Sequence, residues 1–167
     1  MPAEPSPPWT VDQRRRIQEL IHEYRRSLHD SLDGLSEDEA RRRLVPSATT
    51  LLGLVKHATF VEGVWFDRAV TGRSHSEAGI PRSVDASFAL EEDDTIEGVQ
   101  AAYRDRWRTS ADHLAGLRPE DVVDGRGERP VWALELQVLR ELAQHAGHAD
   151  ILREQLLASR DEAGRRP

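Results

Sequence analysis

The chain has 167 residues and a mass of 18.9 kDa, the size of one compact domain. Asp and Glu number 30 against 23 Lys and Arg, a formal net charge of −7 with neutral histidines. That balance argues against phosphate-backbone binding and so against a nucleic-acid partner. The absence of cysteine excludes disulfides, cysteine-ligated zinc and a thiol nucleophile of the chain's own.

The opening MPAEPSPPW has no cationic segment followed by an apolar stretch and does not read as a secretory signal. No apolar run approaches the roughly 18 residues of a membrane span. The expectation is a cytoplasmic protein without a membrane partner. Four prolines within residues 2–8 make residues 1–9 a flexible tail. Thr10, with Gln13 three residues on, is the expected start of the first helix. Ile17, Leu20, Ile21, Tyr24, Leu28 and Leu32 form its apolar stripe, and Asp33-Gly34 closes it. Ser36 and Glu39 form a second capping box, predicting a short helix through about residue 44, ended by Pro46.

A second long helix is predicted from Thr49 or Thr50 to Thr71, stopped by Gly72, with Leu51, Leu54, Val55, Ala58, Val61, Val64, Trp65 and Ala69 as its apolar residues. Residues 72–93 show no sustained period and read as a long loop, the kind that is often functional. Asp93 or Asp94 is expected to cap a third helix bearing Ile96, Val99, Tyr103, Trp107, Leu114 and Leu117. The acidic run Glu91-Glu92-Asp93-Asp94 suits a helix start better than a metal loop. Gly125-Arg126-Gly127 is too short to cradle a phosphate, and no nucleotide-binding or nucleophile-elbow motif is present. The fourth helix is predicted over about 131–158, leaving 159–167 as a second flexible tail. With no alternating strand pattern, the prediction is an all-α four-helix bundle over 10–158, with one short extra helix and a long loop between its second and third helices.

His22, His29, His75 and His113 lie in polar contexts or off the stripes and read as surface residues. His57 falls three residues after Leu54 and four before Val61, on the buried side of its helix. On the last helix Glu141, His145 and His148 lie within roughly 60° of one another, on the face carrying Leu134, Leu142 and Leu152. Ionisable groups on a core-facing stripe are costly to desolvate without partners. Two readings answer that cost: a divalent cation, with His57 as a third ligand, or a hydrogen-bonded polar network between helices. Three protein ligands would leave coordination positions open, and the N and O donors fit zinc, nickel, iron or manganese. Asp150 and Arg153 read as solvated or interhelical charges. Trp65, Phe66, Tyr103 and Trp107 read first as core and second as cavity walls.

Two segments carry a family resemblance. Thr50-Leu-Leu-Gly-Leu-Val-Lys-His57 with Phe60-Val-Glu-Gly-Val-Trp-Phe66, and Glu141-Leu-Ala-Gln-His145-Ala-Gly-His148, resemble the second and last helices of the DinB/YfiT-like superfamily. Asp93-Asp-Thr-Ile-Glu-Gly-Val99 fits as well, and order and spacing agree over roughly residues 10–157. The resemblance implies a DinB-like bundle with a divalent metal held by three side chains. The family pattern has one histidine on the second helix, which His57 matches, and H-x-x-x-H on the last, where this chain has Glu141-x-x-x-His145. That carboxylate variant is similar to the mycothiol-dependent maleylpyruvate isomerase branch. The implied ligands are His57, Glu141 and His145, zinc coming first among the metals. His148 is then an alternative ligand, a group one step removed from the metal, or a catalytic proton carrier.

Relatives that transfer or isomerise with low-molecular-weight thiols imply a metal-dependent thiol S-transferase. Mycothiol would be the cosubstrate and a small electrophile the substrate. Metal-dependent hydrolysis or isomerisation by activated water, and a non-catalytic small-molecule-binding bundle, stand as alternatives. The resemblance also admits a homodimer.

Overall fold

The computed structural model of the protein describes residues 12–164, with side chains through residue 160. The tail expected over 1–9 and the cap expected at Thr10 lie outside the described residues. Helix α1 spans Gln13–Asp30 and is capped by Asp12, whose carboxylate accepts from the Arg14 amide at 3.0 Å. Helix α2, Glu37–Ala40, has the expected Ser36/Glu39 capping box but ends earlier than residue 44. The following stretch is held as a turn by the Arg43 guanidinium, which donates to the carbonyls of Pro46 and Ser47 at 2.6 and 3.0 Å.

Helix α3, Leu51–Glu62, is capped by Thr50 as expected and is buried on almost every side. Its lack of a polar face reflects its place at the centre of the bundle. It continues through a π-helical turn, Gly63–Arg68, into α4, Ala69–Thr71, which ends at Gly72 with φ 76°. The 72–93 connection is not all loop: Ser83 caps a short helix α5, Val84–Phe88. Helix α6 covers Ile96–Leu114 and is capped by Thr95, not by Asp93 or Asp94. The reason is tertiary. The Asp94 carboxylate is drawn to Lys56 at 2.6 Å and to the Glu91 amide at 2.7 Å, leaving the cap to its neighbour. Leu117 lies beyond the end of this helix.

Residues 115–130 hold two strands that the sequence pattern did not predict, β1 (Val122–Val123) and β2 (Arg129–Pro130), paired antiparallel. Two residues each are too few for an alternating pattern to register. Gly125, instead of meeting a phosphate, donates to the Ala69 carbonyl at 2.9 Å, and Arg126 and Arg129 lie over the Trp65 ring at 4.9 and 5.5 Å. Helix α7 runs from Val131 to Gly164, past the boundary drawn at 158. Arg160 fastens this extension, binding both Glu39 oxygens at 2.5 Å and the Gly34 carbonyl at 2.9 Å.

Packing runs from α1 to α7, α7 to α3 and α3 to α6, with α5 laid on α3. The core gathers Leu28, Leu32, Leu52, Phe66, Tyr103, Leu134 and Leu142, all essentially without solvent exposure. Arg153 proves to be an interhelical group, donating to the carbonyls of Ser31 and Asp33 at the end of α1, while Asp150 is exposed. Among the described residues no helix is long and apolar enough to cross a membrane.

Candidate metal centre

Three buried carboxylates organise the polar interior, and none stood out in the sequence. Glu135 of α7 accepts from Arg14 and Gln18 of α1, both at 3.1 Å. Glu62 of α3 receives Arg25 in a two-pronged pair at 2.8 and 2.6 Å, with the Ser110 hydroxyl at 2.8 Å. Asp67 lies in the π turn between Arg73 and Arg106. In each case a cation or hydrogen-bond donor from another segment offsets desolvation, although Glu135 Oε2 is left without a partner. All three therefore read as structural.

His57, Glu141 and His145 are different. One donor atom from each lies within 4.8 Å of the others, with His57 on α3 and the other two one turn apart on α7. Both ring nitrogens of His145 are buried and have no hydrogen-bond partner, an arrangement that costs free energy unless something binds there. Glu141 is oriented by Gln137 and Arg140, which donate to Oε1 at 2.9 and 2.8 Å, and Oε2 lies 3.6 Å from His145 Nε2. These residues fit a divalent cation: two imidazoles and a carboxylate converge, each offering one donor atom, and one of the two orphaned His145 nitrogens would ligate.

Ser87 on α5 fixes the third partner. Its hydroxyl lies 2.6 Å from His57 Nδ1 and donates its single proton to the Val84 carbonyl at 2.5 Å. It can therefore only accept from the ring, so Nδ1 carries the proton and Nε2 keeps a lone pair. The Phe88 ring stacks on His57 with centroids 4.0 Å apart and planes 13° apart. Both residues come from a segment where periodicity gave no signal. A serine three residues before a cappable amide, Ser83 ahead of Ala86, is the local cue that would have marked a helix there.

His148 lies beside this group but outside it, exposed, with its ring 5.7 Å from that of His145. It borders a cavity of about 280 Å³ lined with Val45, Ser47, Thr49, Ile151 and Leu152. A second cluster, His29 with Asp30 and Asp33, is a weaker candidate because its donors are already engaged. His29 Nδ1 pairs with Asp30 at 2.7 Å and its Nε2 meets Arg104 at 2.6 Å. Of the other histidines expected at the surface, His22 is exposed, whereas His75 and His113 are half-buried beside Arg68 and Asp67.

The family model described as mycothiol-S-transferase matches residues 16–158. The chain belongs to the mycothiol-S-transferase family. This agrees with the DinB-like resemblance and with the all-α fold. No curated protein matches the chain. Membership of the mycothiol-S-transferase family supports a thiol-transferase type of function, and His57, Glu141, His145 and His148 all fall within the matched span.

Burial pushes the His57 imidazole of this mycothiol-S-transferase family member down to about 3, and the adjacent His145 acts in the same direction. His145 is also pushed down, by burial first; Glu141 opposes the shift and His148 adds to it. Both rings are thus neutral near pH 7, the form that can ligate a metal. Below the ordinary histidine value of 6.5 the unfolded chain takes up protons that the folded His57 refuses, so acidification favours unfolding. Metal-free protein is expected to lose up to about 1.4 kcal/mol per pH unit from His57 alone as pH falls below about 6.5. Urea midpoints measured at steps between about pH 7 and pH 5 check this. A flat profile would mean that His57 is not held neutral.

Proposed function

We propose that the protein is a divalent-metal-dependent thiol S-transferase that joins the sulfur of a mycothiol-type cosubstrate to an electrophilic carbon of a small molecule. The observation that carries this reading is the convergence of His57, Glu141 and His145, with orphaned buried nitrogens, in a family described by mycothiol transfer. His57, Glu141 and His145 would hold the ion, and their donor set suits zinc first, then nickel, iron or manganese. When bound, the ion supplies a positive charge that favours thiolate over thiol at neutral pH. The chain has no thiol of its own to compete for that position.

The chain's own groups supply the rest. His148 lines the cavity that Val45, Ile151 and Leu152 make largely apolar, and its ring lies 5.7 Å from that of His145. The cavity would seat the body of the electrophile, excluding water from the carbon under attack. The His148 imidazole would take the proton that the thiol gives up as the sulfur–carbon bond forms and the displaced group departs. Glu141, held by Gln137 and Arg140, keeps one oxygen turned to the donors.

The test combines zinc-reconstituted protein with mycothiol and a monochlorobimane acceptor, which becomes fluorescent as sulfur displaces chloride. Protein-dependent thioether formation is expected, abolished in His57→Ala and His145→Ala and slowed about 100-fold or more in His148→Ala. A rate that survives both ligand variants would sink the metal-dependent reading. Turnover of the electrophile without any thiol would favour hydrolysis instead.

A further inference from the structure

We propose that Ser87 is a positioning residue that selects Nε2 of His57 as its metal-binding atom; this rests on the metal reading of the preceding section. A neutral imidazole has two tautomers, and in a pocket where His57 is 4% exposed water cannot arbitrate between them. Ser87 is itself without solvent exposure. With its only proton committed to Val84 at 2.5 Å, its oxygen offers Nδ1 nothing but a lone pair at 2.6 Å. The opposite tautomer would set two lone pairs against each other at that distance. It would also put a proton on Nε2, the nitrogen not engaged by Ser87 and so the one left to ligate.

The serine is held in place by more than its own bond. The Ser83 hydroxyl caps α5 through the Ala86 amide at 3.2 Å. Lys56, next to His57 on α3, donates to the Ala89 carbonyl at 2.9 Å. Gly53, one turn before His57, lets the Phe88 carbonyl approach: a Cβ there would lie 3.0 Å from that oxygen. Phe88 then closes over the imidazole face at 4.0 Å. Ring plane, ring rotation and tautomer are thus all set by one short helix in the connection between α4 and α6. Oriented acceptors of this kind, one hydrogen bond behind a histidine ligand, raise its basicity and fix its direction.

The experiment has two arms. Zinc affinity is measured by competition with a chromophoric chelator for the unaltered protein, Ser87→Ala and Ser87→Thr. In parallel, long-range ¹H–¹⁵N spectra of metal-free protein report which nitrogen of His57 carries the proton. The proposal expects Nδ1–H in the unaltered protein, zinc binding about 10–100-fold weaker in Ser87→Ala, and near-normal binding in Ser87→Thr, which keeps the hydroxyl. Nε2–H in the unaltered protein, or unchanged affinity in Ser87→Ala, overturns it. An unaltered protein that takes up no zinc overturns the metal reading itself. The spectrum distinguishes the two failures, because the Ser87–His57 arrangement is read there without metal.

Discussion

Protein carrying His145→Ala is expected to leave purification without metal, whereas the unaltered chain carries close to one equivalent. Among the described residues three side chains converge here, so removing either α7 donor leaves two, too few to hold a divalent ion against water. Glu141→Gln should behave in the same way. It keeps the shape of the side chain and its hydrogen bonds to Gln137 and Arg140 within reach, but removes the negative charge. His148→Ala is expected to retain the metal, since His148 stands outside the converging group. Elemental analysis of protein purified without chelator or histidine tag reads all four cases. Metal retained in both His145→Ala and Glu141→Gln would place the ion elsewhere. Metal lost in His148→Ala would make that residue a ligand.

The second large effect concerns stability. Arg25→Met is expected to destabilise the fold by about 3–5 kcal/mol, because it strands a charge. Glu62 is without solvent exposure and Arg25 is 5% exposed, so neither side chain can turn to water when the other is gone. After the change, the Glu62 carboxylate keeps only the Ser110 hydroxyl at 2.8 Å. The pair Arg25→Met with Glu62→Leu should recover most of the loss, since two apolar groups of similar volume demand no compensation. Urea unfolding of the two single variants and the double variant closes the cycle. A single-variant loss below about 1 kcal/mol would mean that the pair is hydrated in solution.

The bundle was legible because its helices announce themselves locally. Stripes such as Ile21–Leu28–Leu32, the Ser36 capping box and the Thr50 cap depend on residues three or four apart. The same spacing brought Glu141 and His145 onto one face. What periodicity could not carry were features whose causes lie far along the chain. Asp94 looked like a cap until Lys56, on another helix, claimed its carboxylate. Ser87 and Phe88 matter because they land on His57, and no pattern within residues 72–93 encodes that landing. Glu62 sat unnoticed in an apolar helix because the cation that permits its burial, Arg25, belongs to α1. The extension of α7 to Gly164 likewise depends on Arg160 meeting Glu39.

The π turn at Gly63–Arg68 has a consequence for ancestry. Closing hydrogen bonds over five residues rather than four lodges one additional residue in the turn without breaking the helix. Everything after it is rotated by about 100° relative to an uninterrupted α-helix. Relatives whose corresponding helix lacks that residue would match this chain through Glu62 and again from Ala69 onward only if a single gap is opened between those positions. Without the gap, Trp65, Asp67 and the Gly72 stop would each be compared with the wrong neighbour, and a shared history in this half of the helix would look like divergence.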